Sequence, residues 1–443
     1  MIALELVYVL SGVIAGTFAG LLPGIGVLTT LILSYPFLHG ADIIQLILFY
    51  MALAATVQFT GTIPAVFAGL PGENNSIPAV HEGAKFARRY RSDIAVGVCA
   101  LGSAVGAVVA VLIFMTFSSY ALPAFSTVIS TRFHSILFLI VMGSFLVFFN
   151  HRRVHVNLAL ITIGMIFGMV GESPVVETYR WNFGIDDLQQ GFAKVPFVSG
   201  LLVMPILFKK YAKFEILDHS IRTTFVMPMV AFLRNITSSI RGSVLGFVCG
   251  LVPGVTTMLA STMSHTIESR LHPNRPVRKI IAAETGNNSG QFASLLPLLL
   301  FGIPITGSEI FLYHMLVDAG WNPDQFEMIG ENVTMIFQTV LPYFVMVNVL
   351  GVMISWPMAK YSMVIFRMPY VYIAIFVTAI IVLANWYLGY NQFRSVSFLL
   401  QLAFFSIIGI CLRKYDILPA VAAFLLSDKI EAVAVREYIF MIH

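Results

Sequence analysis

Two stretches half a chain apart share one pattern of glycine and proline, and this pattern decides the fold. The first reads Gly16-Thr-Phe-Ala-Gly20-Leu-Leu-Pro23-Gly24, and the second reads Gly246-Phe-Val-Cys-Gly250-Leu-Val-Pro253-Gly254. A further Gly-x-Pro follows each copy, as Gly69-Leu-Pro71 in the first half and as Gly302-Ile-Pro304 in the second. Because sequence repeats determine architecture, we expect two copies of one structural unit in this chain of 443 residues.

The composition requires a lipid environment. Hydrophobic residues make up 58% of the chain and charged residues only 11%, whereas globular domains carry roughly 25% charged residues. This excludes a soluble enzyme and a disordered regulator, and a formal charge of +4 is too small to indicate a nucleic-acid partner. The composition predicts an all-helical polytopic membrane protein with room for about ten to twelve spans of roughly 20 residues in a lipid bilayer.

Apolar runs predict where the membrane segments lie. They fall near residues 3–36, 41–57, 93–117, 134–149, 156–171, 195–208, 241–265, 291–317, 332–358, 368–388, 395–412 and 415–427.

Charged loops predict the orientation of these segments. The loops at 85–91, 209–222 and 270–279 are basic, whereas those at 172–194 and 318–331 are acidic on balance. Basic loops remain cytoplasmic, so we expect the acidic loops outside. The first copy of the repeat leads into a basic loop and the second into an acidic loop, which predicts an inverted-topology repeat. The predicted domains are an N-terminal repeat, 1–222, and a C-terminal repeat, 223–443.

The two Pro-Gly pairs predict a ligand site. The apolar arms around Pro253-Gly254, roughly 242–252 and 255–265, each fit half a bilayer, which indicates a re-entrant hairpin with its tip near the midplane. A helix that starts after such a break directs free N–H groups at the tip and favours an anion. The alternative is two proline kinks with packing hydroxyl groups. The predicted substrate-binding residues of this pair of breaks are Pro23, Gly24, Thr29, Pro253, Gly254, Thr256 and Thr257.

The second pair of breaks is more polar. Asparagine side chains offer hydrogen-bond donors and acceptors without the desolvation cost of a charge, and unwound backbone near Asn74 and Asn287 is a candidate sodium site. The alternative is ordinary turn chemistry at a membrane boundary. The predicted substrate-binding residues here are Gly72, Asn74, Asn75, Asn287, Asn288, Gly307 and Ser308.

Two carboxylates are candidates for ion coupling. Glu309 is expected at depth in the membrane, where ionisable groups are functional candidates by default. Glu284 is the second candidate, and its alternative role is to balance the charges of Arg278 and Lys279.

Enzymatic and nucleotide-binding motifs are missing from the sequence, which has no HExxH, GxSxG or Walker A pattern. We therefore expect no enzyme and no cofactor beyond a coupling cation, Na⁺ or H⁺, and transport would be secondary rather than driven by ATP.

Several segments together resemble a known family. They are Gly16–Gly26, Gly246–Gly254, Ala283-Glu284-Thr-Gly-Asn287-Asn288-Ser289, Leu296-Pro297-Leu-Leu-Leu-Phe-Gly302-Ile-Pro304, Gly168-Met-Val-Gly171 and Arg180-Trp-Asn-Phe183-Gly184. With them the chain resembles the large membrane subunit of the tripartite tricarboxylate transporters, over nearly its whole length. The chain departs from the family pattern at Thr60-Gly61-Thr62, at Glu73 and at Ile305-Thr306-Gly307.

The resemblance implies a transporter of the bacterial inner membrane. Its partners would be a small membrane subunit of about four spans and a periplasmic solute-binding protein that delivers a carboxylate, with a cation gradient as the driving force. The expected mechanism is alternating access, with an elevator-like motion by analogy, and homo-oligomers are compatible with it. The loops 172–194 and 318–331, with Trp181 and Trp321, are candidate docking sites for the binding protein. The alternative function is a non-transporting membrane scaffold subunit.

Overall fold

The computed structural model describes residues 2–22, 25–68, 77–128, 136–143, 154–173, 175, 178–207, 225–252, 257–322, 329–367, 370–387 and 395–442. Nearly all of these residues are helical, which confirms the predicted all-α class. Within the described ranges, the only β-structure is a short antiparallel hairpin of Gly171–Glu172 and Tyr179–Arg180.

The described part of the chain begins with five helices, and a second group of helices follows them. The first five are α1 (Ile2–Leu21), α2 (Val27–Ser34), α3 (Ile43–Ala68), α4 (Ile77–Arg89) and α5 (Ser92–Val128), with a 3₁₀ turn at Tyr35–Phe37. After a helical stretch at 136–143 come α6 (Val154–Gly168), α7 (Lys194–Val198), a π-helical turn (Ser199–Val203) and α8 (Met204–Leu207).

The second half repeats the order of the first. After α9 (Val226–Leu233) come α10 (Ile236–Gly250), α11 (Thr257–Leu271), α12 (Pro276–Phe301), α13 (Gly307–Asp318) and α14 (Ile329–Arg367). The chain continues through α15 (Tyr370–Tyr387), α16 (Ser395–Leu412) and α17 (Leu418–Ile442).

The third and fifth helices of the sets α1–α5 and α10–α14 correspond to each other. The third helix of each set, α3 or α12, has 26 residues and contains one proline, Pro64 or Pro297. The fifth helix is the longest in both sets, with 37 residues in α5 and 39 in α14. We call these two sets the two five-helix units. That they are two copies of one repeat, as the glycine and proline pattern suggests, remains a prediction.

Glycines hold the first and third helix of each unit in direct backbone contact. A Cβ atom on Gly16 would lie 2.7 Å from the carbonyl oxygen of Leu53, and one on Gly242 would lie 2.5 Å from that of Ala282. Small residues permit such close approach where lipid provides no hydrophobic force between helices. Each stripe has one glycine more than the predicted motif: Gly12, Gly16 and Gly20 on α1, and Gly242, Gly246 and Gly250 on α10.

The two units interlock through their longest helices. Helix α5 packs against α12 of the other unit, and α14 packs against α3. Gly106 allows the first contact, because its Cβ would lie 2.6 Å from the carbonyl oxygen of Thr285. Gly351 allows the second, because a Cβ there would overlap the ring of Phe59. Helices α3 and α12 thereby lie at the centre of the molecule.

The predicted breaks lie at the ends of helices. Helices α10 and α11 form an antiparallel hairpin, since Arg241 pairs with Glu268 at 2.8 Å and Ser264 Oγ lies 3.4 Å from the carbonyl oxygen of Gly242. Helix α12 ends at Gly302, whose φ of +61° is left-handed and favours glycine. The predicted apolar segment 291–317 is thus divided between α12 and α13.

The polar segment 284–289 does not lie in a turn. It falls inside α12 and is buried. The predicted unwound backbone near Asn287 is therefore wrong, and so is the alternative of turn chemistry at a membrane boundary for Asn287 and Asn288. The reason is contact with neighbouring helices: Gly286 packs against Ser264 of α11, and Ser289 donates to the carbonyl oxygen of Ser243 on α10 at 2.6 Å.

Four helical segments among the described residues are long and apolar enough to cross a membrane. They are Ala3–Leu21, Ile43–Phe67, Ser92–Ser118 and Phe337–Ser362. The expected ten to twelve spans remain a prediction, and the proposed domain boundary at 222–223 lies outside the described residues.

Substitution of one stripe glycine tests the backbone contact. We expect Gly246→Ala to destabilise the chain by about 1–3 kcal/mol, because its new methyl group meets the backbone of Gly286. Thermal unfolding of the purified protein in detergent measures this as a lower Tm. Gly143→Ala is the control, since a Cβ there has nothing within 4 Å. Equal Tm values for the two variants would contradict the contact.

Candidate functional site

A cavity lies where α3, α12 and α14 meet. It has a volume of about 20 Å³ and lies next to polar side chains of α12, Asn288 and Gln291. The remaining lining residues are Tyr50, Met51, Ala54, Ala55, Phe292, Leu295 and Phe344. Both units therefore contribute to one cavity at the centre of the fold.

The first turn of α13 approaches this region. Ser308 Oγ lies 3.0 Å from Tyr50 Oη on α3. A Cβ on Gly307 would lie 3.4 Å from the side chain of Leu28, in the first turn of α2. The fold thus brings three predicted site residues, Thr29, Gly307 and Ser308, into one neighbourhood.

Glu309 closes the N-terminus of α13. Its Oε1 accepts a hydrogen bond of 2.6 Å from Ser294 Oγ on α12. Its Oε2 accepts from the backbone N–H groups of Ile305 (3.1 Å) and Thr306 (3.0 Å), and the Thr306 side chain accepts from the Glu309 N–H in return. This is a capping box, in which side chains satisfy the free N–H groups of a helix start. Glu309 is fully buried, so it fixes α13 to α12.

Glu284 has far weaker support from its neighbours. It is 1% exposed, and among the described residues its carboxylate accepts one long hydrogen bond, from the Ser103 hydroxyl of α5 at 3.5 Å. The alternative that it balances Arg278 and Lys279 is wrong. Lys279 lies 3.6 Å from Glu82, and Arg278 donates to Asn235 at 2.9 Å.

Amide side chains form a polar row on α12. Asn287 Nδ2 donates to Gln58 Oε1 of α3 at 2.5 Å, and Asn288 Nδ2 donates to Ser103 Oγ at 2.9 Å. The sequence analysis missed Gln58. A signal was available, because Gln58 of α3 and Gln291 of α12 occupy equivalent positions in the two units.

The threonines after the Pro-Gly breaks lie in the first turns of short helices. Thr29 of α2 and Thr257 of α11 are both buried, at 7% and 3% exposure. Eight predicted site residues fall outside the described residues, and their assignments remain predictions: Pro23, Gly24, Gly72, Asn74, Asn75, Pro253, Gly254 and Thr256.

Comparison with known families decides the class of the protein. The model of the tripartite tricarboxylate transporter TctA family matches residues 6–424. The chain belongs to this family. Members of the TctA family are membrane components of transporters and not enzymes, which confirms the resemblance and the expectation that this chain is no enzyme.

A relative and a structural search complete the comparison. An uncharacterized 52.8 kDa protein of the TAR-I ttuC' 3' region in Agrobacterium vitis is 27% identical over 314 residues. The aligned part covers 68% of this chain but only 61% of that relative. No solved structure matches the chain.

Substitution of Glu309 tests its role as a helix cap. We expect Glu309→Ala to lower stability by about 2–4 kcal/mol, because three buried donors lose their acceptor. Glu309→Gln keeps one acceptor oxygen and should lose about half as much. Thermal unfolding in detergent compares the two variants, and a wild-type Tm for Glu309→Ala would contradict the assignment.

Proposed function

We propose that this chain is the large membrane subunit of a binding-protein-dependent secondary transporter that imports a carboxylate by cation-coupled alternating access in the bacterial inner membrane. The observation that carries the proposal is the cavity between α3 and α12, because each five-helix unit supplies one of these helices. A site at the junction of two repeats is typical of secondary transporters. Family membership supports the transport role.

The contacts across the centre favour an inverted relation of the two units. Gln58 of α3 contacts Asn287 of α12, whereas Tyr50, two turns earlier on α3, contacts Ser308 beyond the end of α12. Residue numbers therefore fall along α3 in the direction in which they rise along the second unit. This indicates that the two central helices run in opposite directions. The charges of the loops favour the same relation, with units that fall within 1–222 and 223–443.

Two polar clusters at corresponding positions support alternating access. In the Asp318 cluster, Tyr35 Oη donates to Asp318 Oδ2 at 2.6 Å, and Lys194 Nζ lies 3.2 Å from His314 Nδ1. In the Glu82 cluster, His265 and Lys279 lie 3.5 Å and 3.6 Å from Glu82.

Each cluster joins the second helix of one unit to the fourth helix of the other. Tyr35 follows α2 and contacts α13, whereas His265 of α11 contacts α4. In an inverted architecture these clusters lie at opposite faces of the membrane. Alternating access would open one cluster while the other stays closed.

The N-terminus of α2 is the better support for an anion. Helix α13 already has Glu309 in its first turn, so its positive end is compensated. Helix α2 has no acidic residue in its first turn and lies beside Gly307. We therefore propose that the carboxylate binds between α2 and Ser308, with the hydroxyl groups of Ser308 and Tyr50 as hydrogen-bonding groups and Asn288 in the cavity wall.

Glu284 is the better proposal for a titrating coupling residue than Glu309. Its carboxylate is buried with one long hydrogen bond, whereas three donors hold the carboxylate of Glu309. A sodium ion near Asn287 is the other proposal for coupling.

The hairpin after α6 is the proposed docking surface for the periplasmic binding protein. Tyr179, Trp181 and Phe183 are 59%, 52% and 78% exposed. Trp181 and Phe183 also have positive φ values of 48° and 52°, a conformation that bulky residues rarely adopt. Arg180 anchors the hairpin to Glu431 at 2.7 Å. Trp321 is half-buried against Tyr313, so it is the weaker candidate.

Transport measurements test the proposed substrate site. Membrane vesicles would contain this chain with the small subunit and the binding protein, and uptake of labelled di- and tricarboxylates would be followed. We expect Asn288→Ala to reduce uptake about 5- to 30-fold, the cost of one buried hydrogen-bonding group. Ile407→Ala, at a 63% exposed position, is the control. Wild-type uptake by Asn288→Ala would favour a scaffold without a site here.

Thiol labelling tests the two clusters. A Ser308→Cys reporter in a background without the native cysteines would be exposed to an impermeant maleimide outside the vesicle. Tyr35→Phe weakens the Asp318 cluster and should raise the labelling rate at least twofold. Lys279→Met weakens the Glu82 cluster and should lower it. Shifts of both variants in the same direction would contradict alternating opening.

A further inference from the structure

Two buried amide oxygens lack a hydrogen-bond donor in the described part of the chain. They are Oδ1 of Asn287 on α12 and Oδ1 of Asn348 on α14, whose side chains are 1% and 2% exposed. A buried acceptor without a donor is destabilising, because it has lost its hydrogen bond to water. Two such atoms in one region therefore indicate a ligand that supplies positive charge or donors.

Asn348 lies at the same level of α3 as Gln58. Phe344, one turn before Asn348, lines the cavity beside Ala54 and Ala55. Gly351, one turn after it, packs against Phe59. Asn348 therefore lies on the part of α14 that faces α3 between residues 55 and 59. This stretch of α3 contains Gln58.

Asn287 reaches this level from the other side. Its Nδ2 donates to Gln58 Oε1 at 2.5 Å, so its own Oδ1 remains available. The Nδ2 of Asn348 donates to the carbonyl oxygen of Phe344 at 2.8 Å, which leaves its Oδ1 available as well. Gln58 and Asn287 are thus in contact, and Asn348 lies on the stretch of α14 that passes the same level of α3.

The chemistry of the available oxygen atoms indicates which class of ligand they would bind. Amide oxygens are hard, neutral ligands of the kind that hard cations prefer. Glu284 lies one turn before Asn287 on α12 and supplies a single carboxylate to the region. One negative charge balances a monovalent ion, whereas a divalent ion would leave a buried net charge. Acceptor oxygens would repel the carboxylate substrate, so the two ligands require different positions.

We propose that Asn287, Asn348 and Gln58 form a sodium site beside the cavity, with Glu284 as the counter-charge. This inference rests on the proposed function and specifies the coupling ion. Because both units contribute ligands, the ion binds only while α3, α12 and α14 keep this arrangement. Sodium occupancy would then favour the state in which the cavity is assembled.

Thermal unfolding tests the site without transport. The purified full-length protein in detergent would be titrated with NaCl, KCl and choline chloride at constant ionic strength. We expect Na⁺ alone to raise Tm saturably, by about 2–5 °C. Asn348→Leu should shift the half-saturating Na⁺ concentration upward at least tenfold. Ser239→Ala is the matched control, because Ser239 is also buried with an unpartnered oxygen among the described residues but lies on α10, and it should keep the wild-type concentration.

A second variant keeps the test decisive if Asn348→Leu does not fold. Asn348→Asp keeps an oxygen and adds a negative charge, so it should lower the half-saturating Na⁺ concentration at least threefold. An unchanged or higher value would overturn the proposal. Equal Tm values in all three salts, or an equal response to K⁺, would overturn it too.

Uptake measurements separate this proposal from the proposed function. Carboxylate uptake by the intact complex, without any effect of Na⁺ on Tm, would overturn the sodium site and leave the transporter function standing. Sodium-dependent stability that Asn348→Leu weakens, without uptake of any carboxylate, would support the site and contradict the substrate class.

Discussion

Backbone contact between helices is the constraint on which the rest of the structure depends. In lipid, apolar side chains gain nothing by leaving one apolar environment for another, so helices associate through close packing and polar contacts. Two glycine stripes meet this requirement by bringing α1 onto α3 and α10 onto α12. Because glycine has no side chain, α1 and α10 touch the backbones of the central helices α3 and α12 directly. Polar residues such as Asn287 can then be buried on α12 because neighbouring helices satisfy or enclose them.

The interlocked fifth helices explain why the functional residues gather at the centre. Each of these helices crosses to the other unit, α5 to α12 and α14 to α3. Ser103 of α5 thereby meets Asn288, and Asn348 of α14 passes Gln58. A change in the relative position of the two units would alter these contacts together. This geometry offers a physical basis for coupling an ion to the state of the cavity.

Much of this fold could be predicted from the sequence, but the pairing of side chains could not. The repeat predicts two equivalent units, and Gly302-Ile-Pro304 marks a real helix end because proline and glycine act locally. The segment 284–289 looks like a turn by composition, yet tertiary packing places it inside α12. Tyr50, Gln58 and Asn348 lie in apolar runs without a motif, and only the crossing of distant helices gives them a role. The role of Glu309 could have been predicted from the sequence. Thr306 and Glu309 have the Thr-x-x-Glu spacing of a capping box, but the sequence analysis considered Glu309 only as an ionisable group.

The most direct test of the central claim is a cryo-EM structure of the complete complex with its carboxylate and Na⁺ bound. We predict ligand density at the junction of the two units, beside Tyr50 and Ser308, in the space between α3 and the first turns of α2 and α13. Clear density for the carboxylate within one unit alone, away from this junction, would contradict the account.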